Sequence, residues 1–377
     1  MRKMGIEEEM LLVDPATGRT SSVSERALRR HDGDAEIEHE LFLEQIETMT
    51  EPHSSLGDLA DDLREARRQT VAAARAAGAS LIASGTSPLP GDQPEVTPKA
   101  RYERMVSEFG AIGEGAAVCG MHVHVDVSSD AEAIGVIDRV RPWLPVLLAL
   151  SANSPYEAGR DTGHASWRSR RWTEWPTSGP VEPFGDPDTY RRAVEALITS
   201  GAALDEGMVY FDVRRARSLP TVELRVTDVC TDLRDGVLVA GLVRALVETE
   251  ARAWSEDRPL ETWRVELLRG ARWHAARYGL SDTLLDPGTR EQRPAAEVLG
   301  AFVDHVSDAL ADAGDTDLVH DELERVLRDG NGAARQRRVG ADGDLEAVVA
   351  DLALRTDPDA QESRPVRNRA ASLSRDV

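Results

Sequence analysis

Three short segments with strict two-residue alternation constrain this chain more than any other feature. In residues 119–127, CGMHVHVDV, the alternation sends His122, His124 and Asp126 to one side and Val123, Val125 and Val127 to the other. GIEEEMLLV at residues 5–13 places Glu7 and Glu9 on one face, and TVELRVTDV at residues 221–229 does the same with Glu223 and Arg225. Each reads as a β-strand with an apolar face and a chemical one. Carboxylates and imidazoles on half-buried strand faces are costly unless partners neutralise them, so a site shared between the three strands is the economical reading.

The rest of the chain reads as a frame for these strands. Residues 36–50 alternate like a strand with a change of phase, although Glu40 and Glu47, seven apart, also suit one face of a helix. Ser55 caps a helix that runs to Gly78, with Asp58 at the capping-box position. A short strand follows at 80–84, then helices at 99–112, 130–143 and 186–204, and residues 207–214 pair with 221–229 as antiparallel strands. Beyond Asp232 the pattern is helical, with apolar stripes at 237–254, 260–278, 295–310 and 318–327. Residues 153–185 show no regular period. Their content of Tyr156, Trp167, Trp172 and Trp175 with Arg160, Arg168, Arg170 and Arg171 suits a binding loop better than a linker. Residues 356–377 are polar and aperiodic and read as a disordered tail, which leaves 1–355 as a single catalytic domain. The expected fold class is α+β, a sheet with its chemistry on one face and helices on the other.

Charge narrows the partners. The 377 residues carry 67 acidic and 45 basic side chains, a net charge of -22, which argues against nucleic acid. The longest apolar run, residues 143–152, is too short for a bilayer span and contains Pro145, so no membrane is expected. The N-terminus runs almost directly into a strand without a secretory pattern. Cys119 and Cys230 are distant and form no C-x-x-C, which points to reduced thiols and a cytoplasmic protein.

Nucleotide sites usually announce themselves through glycine, but G-x-x-x-x-G-K-[ST] is absent and GEGAAV at residues 113–118 lacks the last glycine of G-x-G-x-x-G. The other way to hold a triphosphate is divalent metal on carboxylates, assisted by arginines. Glu7 and Glu9 side by side repel one another unless a cation lies between them; the bland alternative is an exposed acidic edge. His122 and His124 suit metal or phosphate, or form a half-buried polar face. Glu223 and Arg225 belong to such a site or form a plain ion pair, worth little if exposed. Their joint occurrence on three strands favours the site.

At this point the chain resembles a known family. GIEEE, the glutamates of EHELFLEQIE, CGMHVHV, the NSP…GRDTG…S-x-R stretch and TVELRVTDVC together resemble the type 2 glutamate-cysteine ligases, bacterial carboxylate-amine ligases, from about Gly5 to Arg338. The resemblance implies a glutamine synthetase-like fold: a curved antiparallel sheet of about six strands with helices packed outside. It implies that ATP and Mg2+ phosphorylate the side-chain carboxylate of glutamate and that the amine of cysteine displaces the phosphate. It further implies Glu7, Glu9, Glu40, Glu47, His122 and Glu223 as magnesium ligands, Arg225 as a phosphate contact, His124 as a lining of the substrate pocket, and a homodimer. From the composition of the 153–185 loop, Arg160 and Arg168 are expected to meet the glutamate carboxylates or phosphate. Arg335 and Arg337 either close over the nucleotide or are surface charge. One departure stands out: NSP is followed by Tyr156, Glu157 and Ala158, and an acid there bears on which substrate the loop accepts.

Three alternatives stay open. A ligase of the same class could use a different amine. The HxH pair also marks metal-dependent amidohydrolases built on a barrel, which would need further histidines at strand ends, whereas His164, His274, His305 and His320 fall in predicted loop or helix. A non-catalytic relative would have no use for the repelling Glu7/Glu9 pair.

Overall fold

The computed structural model describes residues 1–89, 91–115 and 117–362. Its strands are β1 (Met4–Val13), β2 (Glu36–His39), β3 (Gln45–Met49), β4 (Ser80–Ile82), β5 (Gly120–Asp126), a two-residue pair β6 (Tyr156–Glu157) and β7 (Arg160–Asp161), β8 (Val213–Arg215), β9 (Thr221–Asp228) and a separate pair β10 (Thr283–Leu285) and β11 (Gln292–Pro294). The main sheet is antiparallel with the order β2-β3-β1-β5-β9-β8, and β4 lies beside the far end of β1. This is the expected open sheet of about six strands. The single strand expected over residues 36–50 is instead two strands that pair with each other, because residues 40–44 turn the chain back between them.

The helices are α1 (Ser24–Arg30), α2 (Leu56–Ala76), α3 (Ala100–Phe109), α4 (Asp130–Val140), α5 (Leu144–Ser151), α6 (Trp167–Trp172), α7 (Pro187–Thr199), α8 (Leu233–Ser255) and α9 (Val265–Tyr278), followed by further helices as far as Glu362. Their starts are chemically marked. Ser55 accepts the N–H groups of Gly57 and Asp58, Ser129 that of Glu132, and Asp186, followed by Pro187, that of Thr189. α8 is buried along most of its length and packs against the apolar back of the sheet, where Ile6, Met121, Val123, Val125 and Leu224 join Leu238, Leu242 and Leu246 in one core. The middle glutamate of the EEE run faces this side: Glu8 is fully buried and paired with Arg67 (2.6 and 2.5 Å).

Two further expectations need correction. Residues 153–185 are not irregular throughout, since they form β6, β7 and α6. Three donors converge on the buried carboxylate of Asp228 to pin this stretch: the N–H of Asn153 (2.9 Å) and the hydroxyls of Ser154 (2.6 Å) and Ser166 (2.8 Å). Residues 356–362, expected to open a disordered tail, are ordered. Thr356 ends an unforeseen helix, Leu345–Thr356, and its hydroxyl takes the N–H of Ala83; Asp357 pairs with Arg75, and Pro358–Glu362 is helical. Residues 363–377 lie outside the described residues. No helix among the described residues is long and apolar enough to cross a membrane.

Candidate active site

The register brings the alternating faces together in rows. Glu7 lies opposite His122 on β5 and Met49 on β3, Glu9 opposite Glu47, His124 opposite Glu223, and Glu223 opposite Arg214 on β8. β9 carries one extra residue opposite His122, and this bulge keeps Arg225 beside the imidazole while Asp228 still returns to pair with Gly120. The resulting cleft has a volume of about 350 Å³ and is lined by Glu7, Glu9, Glu40, Glu47, His122 and Arg225. Its outer wall comes from α3, from α6 and the residues just after it, and from the chain running into, through and just past β8, which supply Arg101, Tyr102, Trp172, Trp175, Tyr210, Arg214 and Arg217.

The carboxylates fall into two groups on either side of one imidazole. On the Nδ1 side of His122 stand Glu7 (3.1 Å) and Glu223 (3.9 Å), and both are already compensated. Burial opposes the charge of Glu223, but Arg225 and Arg214 (2.6 Å) outweigh it and pull its carboxyl down to about 2. Burial likewise opposes Glu7, yet its bonds to His122 and His124 (3.0 Å) hold it well below the usual carboxylate range. His124 is fixed from its other nitrogen by the Thr221 hydroxyl (2.9 Å).

On the Nε2 side the balance is reversed. Burial together with the charge of Glu9 pushes Glu40 up to about 7, and burial with the charges of Glu40, Glu7 and Glu9 pushes Glu47 well above its usual range. Burial and the Arg225 guanidinium lower the pKa of His122, so the ring is neutral. Nδ1 of the ring lies 3.1 Å from Glu7 and 3.4 Å from Arg225 Nη1, and Nε2, 3.8 Å from Glu9, is buried without a hydrogen-bond partner. An unpartnered imidazole nitrogen beside crowded, charge-strained carboxylates suits a bound cation. Ligand atoms of Glu9, Glu47 and His122 lie within 4.8 Å of one another, as do those of Glu7, His122 and Glu223. The donor set therefore fits a hard divalent ion, and the Glu9, Glu47 and His122 group, with Glu40 beside it, has the greater need of one.

This asymmetry predicts a pH dependence. Glu40 binds a proton up to about pH 7 in the folded state but only to about 4.5 when unperturbed, so folding takes up protons between these values and stability falls as pH rises through them. The melting temperature of the metal-free protein should drop by on the order of 5 °C between about pH 5 and about pH 8. Magnesium should recover part of the loss at the higher pH and little at the lower, as thermal melts at the two pH values would show. Glu44, which burial pushes up to about 7, adds to the slope but lines no part of the cleft, so its share should not be recovered.

Of the expected site residues, Glu7, Glu9, Glu40, Glu47, His122, His124, Glu223 and Arg225 converge on this face. The other arginines do not line the cleft. Arg160 is exposed at the β6–β7 tip. Arg335 is buried in an ion pair with Asp235, and Arg337 is spent on Asp161 (2.8 Å) and the carbonyl of His164 (2.9 Å), so neither closes over the cleft. Arg168 is buried behind it, with one long bond to the carbonyl of Arg225 (3.4 Å) and a partnerless Nε; it lies so close under Gly120 that a Cβ there would meet the guanidinium at 2.1 Å. Glu157 faces inward within its own loop, accepting Trp167 Nε1 (2.5 Å) and pairing with Arg171 (3.4 Å), and so places no negative charge in the cleft. Arg214, Arg101 and Arg217 were not foreseen as site residues. Arg214, in register across from Glu223, is the one that a pairing of the two neighbouring strands would have revealed.

The open antiparallel sheet is a fold shared with solved ligases. The glutamate–cysteine ligase of Francisella tularensis, solved in complex with AMP, superposes with a TM-score of 0.65 at 13% identity, covering 96% of this chain and 89% of that one. A bifunctional glutathione synthetase from Pasteurella multocida gives 0.67 at 16% identity, covering 96% of this chain and 53% of that one. The chain belongs to glutamate-cysteine ligase family 2 (GCS2), whose model matches residues 3–351. It is 47% identical over 374 residues to the Nocardioides sp. protein named "Putative glutamate--cysteine ligase 2-1", covering 96% of this chain and 98% of that one. It is 45% identical over 361 residues to the Streptomyces coelicolor protein named "Putative glutamate--cysteine ligase 2", covering 94% and 99%. The barrel expected of an amidohydrolase does not match this sheet, and His164, His274, His305 and His320 line no part of the cleft.

Proposed function

We propose that this protein is an ATP-dependent carboxylate–amine ligase that joins the side-chain carboxylate of glutamate to the amine of cysteine through a γ-glutamyl phosphate. The observation that carries the reading is the pairing, in one cleft, of an uncompensated carboxylate–imidazole group with Arg225 and Arg214. The names of the relatives and the AMP bound to the Francisella ligase agree with it. Magnesium, held by Glu9, Glu47 and His122 with Glu40, and by Glu7 and Glu223, would supply the positive charge that lets a carboxylate meet a γ-phosphate.

The chain's own residues do the rest. Arg225, whose Nε has no partner although it is buried at the cleft, offers a donor to the transferred phosphoryl group as a glutamate oxygen attacks phosphorus and ADP leaves. Arg214 holds Glu223 in place through two bonds (2.6 and 3.1 Å). The amine nitrogen then attacks the acyl carbon, phosphate departs and the nitrogen loses its proton. The wall of Trp172, Trp175 and Tyr210 offers flat apolar area for the nucleotide base. We take residues 1–355 to work as one catalytic unit, in the cytoplasm.

Hydroxylamine tests the intermediate: with Mg-ATP and glutamate it should be converted to γ-glutamyl hydroxamate, and its absence beside a stable protein would count against an acyl phosphate. Neither thiol takes part, since burial pushes both Cys119 and Cys230 well above the usual range. Cys119→Ser and Cys230→Ser should each keep kcat within about twofold in steady-state assays, because a buried thiol is an inert hydrophobe.

A further inference from the structure

Glu8, between the two ligand candidates of β1, points away from the cleft and takes no part in the chemistry proposed there. It and Arg67 are fully buried behind the sheet. The guanidinium, brought by α2, is shared between two strands. Nε and Nη2 donate to the two carboxylate oxygens of Glu8 (2.6 and 2.5 Å), Nη2 also to the carbonyl of Cys230 (2.5 Å), and Nη1 to that of Thr231 (2.9 Å). Glu8 belongs to β1, whereas Cys230 and Thr231 follow the end of β9, and β5 lies between these two strands. One side chain therefore ties the first of three adjacent strands to the far end of the third. Stability does not account for such a pair. The desolvation cost of two buried ions roughly cancels their attraction, and apolar residues of similar volume often serve a fold as well or better. What apolar residues cannot do is hold backbone carbonyls at a set place, as a planar fork does.

That place matters because of the bulge in β9. Val123 faces Leu224 but Met121 faces Thr227, so the extra residue falls beside Arg225. A strand can shed a bulge by slipping one residue, and a one-residue slip turns the side chains of the slipped part to the other face. Arg67 grips the chain on the far side of the bulge, two and three residues past Asp228. We propose that Arg67 and Glu8 are positioning residues: from behind the sheet they lock the bulge of β9, and so keep Arg225 beside His122 and Glu223 within reach of Glu7. Glu8 is the fitting anchor, since Glu7 and Glu9 flank it and its own place fixes theirs. The pair thus keys the end of β9 to the strand whose carboxylates must meet Glu223 and Arg225. The effect expected on turnover rests on the ligase reading; the effect on metal binding does not.

Replacing both partners by apolar residues, Glu8→Leu with Arg67→Met, separates position from stability. The double variant should melt within about 5 °C of the wild type. Its affinity for Mn2+, a probe of the divalent site read by electron paramagnetic resonance on the metal-free protein, should fall by about tenfold, and kcat by at least as much. Arg67→Lys keeps a charge opposite Glu8 but cannot also reach both carbonyls beyond β9, so it should show the same losses to a smaller degree, about threefold. A double variant that folds and binds Mn2+ as the wild type does would overturn the proposal and leave the pair a packing element. If the double variant does not fold, Arg67→Lys decides by the same criterion, and wild-type Mn2+ affinity there overturns the proposal. Wild-type protein that binds no Mn2+ would overturn it together with the metal site. Wild-type protein that binds Mn2+ but releases no ADP from ATP and glutamate with any amine would sink the ligase reading alone, and the Mn2+ comparison would still decide the role of the pair.

Discussion

Glu47→Gln should abolish magnesium-dependent ATP turnover and at the same time stabilise the metal-free protein. Glu47 sits on β3 opposite both Glu9 and Glu38, with Glu40 close enough to share a proton, and no arginine or lysine bonds to it among the described residues. Removing its charge relieves repulsion that the fold otherwise carries, so above about pH 7 the melting temperature should rise by a few degrees, on the order of 3 °C. The same change takes an anionic oxygen from the Glu9, Glu47 and His122 group, and kcat should fall by about a thousandfold. A residue whose loss stabilises the fold and destroys activity is one retained for function. Loss of activity together with loss of stability would instead mark Glu47 as structural, and retained turnover would remove it from the metal group. Thermal melts with and without magnesium, beside ADP release, separate these outcomes.

Arg225→Lys should cost about a hundredfold or more in kcat with a small change in melting temperature. The guanidinium pairs with Glu223, lies 5.9 Å from the Tyr210 ring centroid and turns a partnerless Nε at the cleft. A lysine can keep the charge beside Glu223, which Arg214 also holds, so the fold tolerates the exchange. It cannot present two donors in a plane, one to Glu223 and one to a phosphoryl oxygen, and that second donor is what the reaction needs. The loss should appear in the first turnover as a slowed burst of ADP. Near wild-type kinetics would assign Arg225 to the ion pair alone.

Much of the site was legible because β-structure has a period of two. Alternation placed Glu7 with Glu9, His122 with His124 and Glu223 with Arg225; Glu7, Glu9, His122 and Arg225 line the cleft and His124 and Glu223 lie beside them on the same face, while Glu8 turns away to Arg67. What alternation cannot supply is the partner across the strand. Arg214 faces Glu223, and Asp235 and Asp161 spend Arg335 and Arg337, which as a run of arginines looked available for a nucleotide. Glu40 and Glu47 were identifiable as ligand candidates, but their strand was not, since the turn at 40–44 that brings Glu40 back beside Glu47 breaks the phase. The aromatic wall was legible in part: Trp172 and Trp175 belong to the stretch read as a binding loop, but Tyr210 comes from a separate segment that only the packing of α6 against the approach to β8 brings beside them.

ADP release from Mg-ATP, measured with glutamate and a panel of amines that includes cysteine, tests the central claim most directly. The account predicts release that requires glutamate, is stimulated by cysteine above the other amines and stops in Glu47→Gln. Release independent of glutamate, or none with any amine from protein that magnesium nonetheless stabilises, would contradict it.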